Sequence, residues 1–143
     1  MFASNTRKHS QNYAQSGGEF VFNLATYELR TEMNVSGGDY PEGVSEPELA
    51  KLEMAPSRLV KPPRVARSPI ALECVHSQTV SLKRGNGKLH KYEVVIGEVV
   101  NVHVDDAVIV NGMIDMSRIR AIARLGYRGD YTVVDNIFEM RRV

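Results

Sequence analysis

Ile70-Ala-Leu-Glu-Cys-Val-His-Ser-Gln-Thr-Val-Ser-Leu82 and Tyr92-Glu-Val-Val-Ile-Gly-Glu-Val-Val-Asn-Val-His-Val104 flank a turn-rich Gly85-Asn86-Gly87. In the first segment Ile70, Leu72, Cys74, Val80 and Leu82 alternate with Glu73, Ser77, Thr79 and Ser81. In the second, Tyr92, Val94, Ile96, Val100, Val102 and Val104 recur at period two. That period belongs to a strand, whose successive side chains point to opposite faces. Two such strands around Gly-Asn-Gly predict a long β-hairpin. His76 with Gln78, and Gly97 with Glu98, break the apolar face midway. Bulges or the bends of a closing barrel account for both.

Upstream, residues 4–16 are polar and predict a surface helix capped by Ser4, Asn5 or Thr6 and ended by Gly17-Gly18. Its apolar face is thin, with Tyr13 and Ala14. Glu19 to Ala25 alternates as a short strand with Phe20, Phe22 and Leu24 on one face. Thr26 is placed to cap a second helix carrying Leu29 and Met33, broken at Ser36-Gly37-Gly38-Asp39. Ser45 with Glu48 forms a capping-box pattern that opens a short helix with Leu49 and Leu52 inward. Pro56, Pro62, Pro63 and Pro69 leave Ala55 to Pro69 irregular.

Downstream, Asp105-Asp106 ends the hairpin. A short strand at Val108 to Val110 precedes a turn at Asn111-Gly112. Asp115 or Ser117 is expected to cap a helix carrying Ile119 and Ile122, stopped by Gly126. Tyr131 to Val134 and Ile137 to Met140 read as closing strands. Two early helices and long later strands do not make a βαβ alternation. They predict a mainly β chain, a barrel or half-barrel with peripheral helices.

The 143 residues predict one domain over 1–143. Lys plus Arg number 18 and Asp plus Glu 17, so no net charge draws the chain to a phosphate backbone. Nucleic acid is therefore not expected as a partner. The N-terminus is polar where a signal peptide is apolar. The apolar run Val94 to Val104 is interrupted and far shorter than the roughly 20 residues of a membrane helix. Neither membrane insertion nor export is expected. The single Cys74 forms no intrachain disulfide, which makes a reducing, cytoplasmic compartment the expectation.

No Gly-x-Ser-x-Gly, Walker loop, His-Glu-x-x-His or cysteine pair is present. Gly85-Asn86-Gly87 reads as a hairpin turn rather than a phosphate cradle, given its flanking strands. His103 and Asp105 share a strand face, but a metal site needs three or four ligands, so none is expected. Cys74 reads as a small buried hydrophobe. Glu98, among apolar positions, is either an acid near a ligand or a residue turned to solvent. Arg58, Lys61, Arg64 and Arg67 lie in one proline-rich loop without an acid. Lacking interleaved aromatics, they read as a solvated loop, or one meeting an anionic cofactor or a partner subunit. In Ser4-Asn5-Thr6-Arg7-Lys8-His9-Ser10, hydroxyls, an amide and two cations converge on a helix start. Free N–H groups, the helix dipole and the cations favour a phosphate there, although capping residues with surface charges give the same string.

Several segments occur in an order that points further. They are Phe2-Ala-Ser-Asn-Thr-Arg-Lys-His-Ser-Gln-Asn12, Gly18-Glu-Phe-Val-Phe-Asn-Leu24, Pro56-Ser-Arg-Leu-Val-Lys-Pro-Pro-Arg-Val65 and Ser68-Pro-Ile-Ala-Leu-Glu-Cys74. Ile96-Gly-Glu-Val-Val-Asn-Val-His-Val104, Ile114-Asp115, Arg124-Leu-Gly126 and Tyr131 follow. In this order the chain resembles the flavin reductase-like family of FMN-binding split barrels. The resemblance implies a homodimer with FMN near its interface, and reduction of flavin by NADH or NADPH or another FMN-dependent reduction. It implies that Ser4, Asn5, Arg7, Lys8 and Ser10 contact the FMN phosphate. His9 and Ser10 stand where the family usually has Asp and Thr. Arg124 and Tyr131 fall in a motif that is structural or near the site. The family has several strands before Phe-Ala-Ser, so the expectation is a split barrel incomplete at its N-terminus. The alternative is a non-catalytic flavin-binding or dimerisation remnant lacking the N-terminal half of the pocket.

Overall fold

A computed structural model of the chain describes residues 1–4 and 9–141. In chain order its elements are β1 (Phe2–Ser4), α1 (His9–Gly17), β2 (Glu19–Asn23), α2 (Arg30–Ser36), α3 (Glu46–Leu49), β3 (Met54–Ala55), β4 (Arg64–Val65), β5 (Ile70–Lys83), β6 (Leu89–Val104), β7 (Ile109–Val110), β8 (Met113–Ile114), α4 (Met116–Ile119), β9 (Ile122–Gly126) and β10 (Asp130–Val133). Strands predominate and the helices are short, as expected. Among the described residues no helix is long and apolar enough to cross a membrane. The chain groups into two compact units: residues 1–22, 55–64 and 72–102, and residues 23–54, 65–71 and 103–143.

The first unit is built on the predicted hairpin. β5 and β6 form the middle of a four-stranded sheet of order β1-β6-β5-β2. Their turn closes where Arg84 N–H donates to the Lys88 carbonyl at 2.8 Å. Gly87, at φ +79°, takes the left-handed position that a β-carbon disfavours. β1 runs antiparallel to β6, with Phe2 opposite Val95 and Ser4 opposite Glu93.

The sheet is curled, and two side chains measure the curl. β1 and β2 are its opposite edges, about 14 Å apart if the sheet were flat. Yet the Phe2 and Phe20 rings meet edge to face, with centroids 5.4 Å apart. Gly97 makes room for this contact. A β-carbon there would lie 2.6 Å from the Phe20 ring and 3.0 Å from the Val75 carbonyl oxygen. The interruption at Gly97 is thus a bend with a close approach. Glu98 beside it is exposed. Cys74 is buried, as its alternation implies, and burial pushes its thiol pKa up against the opposing charge of the chain's N-terminal amine.

One alternation is corrected. Glu73, read as a polar-face residue, is fully buried. Its Oε1 accepts from Arg58 N–H at 2.7 Å and Asn101 Nδ2 at 3.2 Å, and its Oε2 from Leu59 N–H at 2.6 Å and Val60 N–H at 3.2 Å. The carboxylate pins the basic loop. Lys61 N–H in the same loop donates to Glu19 at 2.9 Å. The expected apolar face of the hairpin is open at Val80, Leu82, Val100 and Val102, which are exposed.

The second unit has its core at Val108, Ile119 and Ala121, with Leu24, Ile70 and Val104 packed against it. Asn111 and Gly112, both at positive φ, make the tight turn joining β7 to β8. Asp115 caps α4 by accepting from Ser117 N–H at 3.0 Å. This helix is one turn long, because Arg120 turns left-handed at φ 50°. Ile122 therefore lies in β9, not in the helix, and β9 pairs with β10 with Tyr131 opposite Arg124. Ile137 to Met140, expected as a strand, is irregular and largely exposed. Neither Thr26 nor Ser45 makes the expected side-chain capping bond. Leu49 points outward, since a four-residue helix offers no continuous inner face, while Leu52 is half-buried.

Two carboxylates of this unit, the exposed Glu28 and the half-buried Asp115, give it an acid-sensitive limb. Glu28 is held below its ordinary value of 4.5 chiefly by its own backbone N–H, which outweighs the opposing effect of burial, with the Arg120 guanidinium and Thr26 adding to the lowering. The Ser117 hydroxyl and N–H hold Asp115 below 3.8. A depressed folded pKa gives stability that is present above the unfolded pKa and lost as pH falls through the folded one. The urea midpoint is expected to hold from pH 7 to 5 and to fall below about pH 4. Glu28→Gln with Asp115→Asn, which keeps a capping side chain, flattens that fall. An equal fall in wild type and double variant contradicts the assignment.

Candidate functional site at the β1–α1 junction

The phosphate-favouring segment sits between the end of an edge strand and the start of α1. Ser4 closes β1 and is half-buried opposite Glu93. Asn5, Arg7 and Lys8 lie outside the described residues. Ser10 is the second residue of α1 and is exposed. The structure thus describes Ser4 and Ser10 of the five expected contacts, one on each side of the junction.

The helix is fixed by a polar face rather than the thin apolar one read from the sequence. Gln11 and Ala14 are its buried residues, while Tyr13 is exposed. Gln11 Nε2 donates to Glu93 Oε2 at 2.5 Å, and the Ser81 hydroxyl donates to Glu93 Oε1 at 3.0 Å. Among the described residues the Gln11 Oε1 has no hydrogen-bond partner. One turn on, Gln15 Nε2 donates to Thr79 Oγ1 at 3.1 Å, which also contacts His76 Nε2 at 3.0 Å. Gln11 and Glu93 are the residues that sequence reasoning missed. The only local sign was the i, i+3, i+4 spacing of Gln11, Ala14 and Gln15.

The electrostatics at the helix start suit an anion. The first turn of a helix carries N–H groups without intrahelical partners and the positive end of the dipole. α1 places no acidic residue there. His9 is half-buried and packs its ring on Tyr13, with centroids 6.2 Å apart. Arg7 and Lys8 immediately precede it in sequence. A hydroxyl, free N–H groups and adjacent cations are the donor set that holds a phosphate.

The other candidates find structural work. The basic loop donates its backbone to Glu73 and Glu19, and Arg67 pairs with Glu32 at 3.1 Å. Among the described residues no three His, Cys, Asp or Glu side chains gather around a metal position. Tyr131 and Arg124 face each other across β9 and β10.

Comparison with known proteins gives this geometry a lineage. Residues 1–122 match the family model described as a flavin reductase like domain. The chain belongs to the flavin reductase-like family. An uncharacterized Deinococcus radiodurans protein is 33% identical over 144 residues, covering 99% of this chain and 60% of that protein. Nitrilotriacetate monooxygenase component B from Bacillus cereus superposes with a TM-score of 0.84 at 28% identity, covering 94% of this chain and 65% of that one. The FMN-binding domain of a flavin reductases-like enzyme from Shewanella baltica superposes with a TM-score of 0.72 at 16% identity, covering 94% and 70%. That identity speaks for the fold alone. The curled sheet of this flavin reductase-like chain is thus a split-barrel sheet. The chain spans about three fifths of the length of the curated relatives it matches.

Proposed function

We propose that the β1–α1 junction binds the phosphate of FMN through Ser4, Asn5, Arg7, Lys8 and Ser10. In this reading residues 1–143 are one flavin reductase-like domain of an oxidoreductase that works in a reducing, cytoplasmic compartment. NADH or NADPH is the electron donor. The acid-free first turn of α1, with its exposed Ser10 hydroxyl two residues after Arg7-Lys8 in sequence, carries the reading. Membership of the flavin reductase-like family supports it. FMN, when bound, supplies hydride-accepting chemistry. This chain's own residues bind and orient. The Gln11–Glu93 bond and the buried Ala14 fix the axis of α1, so its first-turn N–H groups face one direction. Arg7 and Lys8 neutralise the phosphate.

A homodimer belongs to the same proposal. Val80 and Leu82 beside the turn, and Val100 and Val102 at the far end of β6, are exposed apolar residues of the kind that protein interfaces cover.

Ser10→Asp tests the phosphate assignment. A carboxylate in the first turn suits the helix dipole, so the fold is expected to be as stable as wild type or slightly more so. The same carboxylate repels a phosphate. FMN affinity is expected to fall at least about tenfold, a change of about 1.4 kcal/mol, while riboflavin, which has no phosphate, binds as before. Wild-type affinity for FMN in the variant overturns the assignment. NADH and NADPH oxidation by the flavin-loaded protein tests the activity. Saturable FMN binding without oxidation of either would favour the non-catalytic reading.

A further inference from the structure

The second unit contains a cleft of about 350 Å³. That is within the range of small-molecule sites. Tyr27, Arg30, Met33 and Asn34 line it from the helical stretch, and Ile122 and Tyr131 from β9 and β10. Among the described residues no carboxylate lines it.

Arg30 sets its chemistry. Its guanidinium lies over the Tyr27 ring, 3.9 Å from the centroid, and its Nη1 donates to the Tyr27 carbonyl at 2.6 Å. These contacts preposition the fork while leaving most of its five N–H donors open. Among the described residues no carboxylate pairs with it. The contrast within the unit is clear: Arg67 pairs with Glu32, Arg118 with Asp115 and Arg120 with Glu28. Asn34 lies one helical turn from Arg30, on the same side, and brings an amide to the cleft. Tyr131, Met33 and Ile122 supply aromatic and apolar wall.

We propose that this cleft binds a small organic monocarboxylate with a flat or branched apolar body. The Arg30 fork takes the carboxylate in the planar geometry that guanidinium favours. Asn34 donates beside it, and Tyr131, Met33 and Ile122 take the body. The charge balance selects a monoanion over a phosphate. Arg120, the other guanidinium over Tyr27 at 4.6 Å, is neutralised by Glu28 at 2.6 Å. The site therefore offers one net positive charge.

The test is a titration of the flavin-free 143-residue chain with benzoate and with benzamide, its uncharged counterpart, followed by amide chemical shifts. Benzoate is expected to bind saturably and at least about tenfold more tightly than benzamide, with shifts at Asn34 and Tyr131. Arg30→Gln removes that preference, and Tyr131→Ala weakens both ligands. Equal binding of the two probes, no saturable binding, or undiminished preference in Arg30→Gln overturns the proposal. If Arg30→Gln is poorly folded, the benzoate-to-benzamide ratio on the wild type decides alone. The proposal does not rest on the flavin reading. A chain that binds FMN but not benzoate refutes this proposal alone, and the reverse result refutes only the other.

Discussion

Replacing Glu73 by alanine is expected to lower stability by about 3–5 kcal/mol, the loss typical of removing one partner from a buried charged network. Its carboxylate is fully buried and accepts from three consecutive backbone N–H groups, those of Arg58, Leu59 and Val60, and from Asn101. Alanine leaves these donors without that acceptor, and each buried unmet donor costs about 1–3 kcal/mol. A domain's total stability is about 5–15 kcal/mol, so the loss is a large fraction of it. Glu73→Gln keeps one acceptor oxygen and is expected to fall between wild type and alanine. Urea unfolding reads the effect as a midpoint lowered by about 2 M at ordinary m-values. Proteolysis around Pro56 to Arg64 is expected to quicken in parallel. A wild-type midpoint with an uncut loop would show that the carboxylate does not pin this segment.

Ile119→Ala is expected to cost about 2–5 kcal/mol. Ile119 is 2% exposed and packs in the cluster of Val108, Ala121, Leu24, Ile70 and Val104. It sits on a helix of only four residues, bounded by the Asp115 cap and the left-handed Arg120. So short a helix has little stability of its own and is held by the side chain it buries. Truncation leaves a cavity and loosens the helix that carries it. Ile119→Val separates the two effects, because it removes one methylene and is expected to cost about 0.5–1.5 kcal/mol. Alanine and valine variants of equal midpoint would contradict this packing.

The hairpin was legible because two independent signals agreed. Alternation marked both strands, and Gly85-Asn86-Gly87 supplied the turn, with Gly87 in the conformation that glycine tolerates. Asn111-Gly112 was legible for the same reason. Glu73 was not, because alternation gives the parity of a strand and not which face is covered. Its partners are backbone N–H groups, which every residue but proline has, so no side-chain pattern announces them. Ile122 falls outside the helix its spacing predicts because the helix stops at Arg120, a residue with no propensity for the left-handed turn it adopts. At the candidate site, the polar run announced a helix ended by Gly17, but Ser4, read as a candidate cap, closes β1 instead, because strand pairing with β6 is not visible locally. The Gln11–Glu93 bond that fixes the helix joins residues 82 apart in sequence and was not legible either. The Arg30 cleft was equally hidden, since its far wall comes from β9 and β10.

The central claim is that the β1–α1 junction grips the phosphate of FMN. Parallel titrations of the 143-residue chain with FMN and riboflavin, with molecular mass recorded on the same samples, test it most directly. Saturable FMN binding by a dimer is expected, with riboflavin at least about tenfold weaker. A folded chain that binds neither, or that binds both equally, would contradict it.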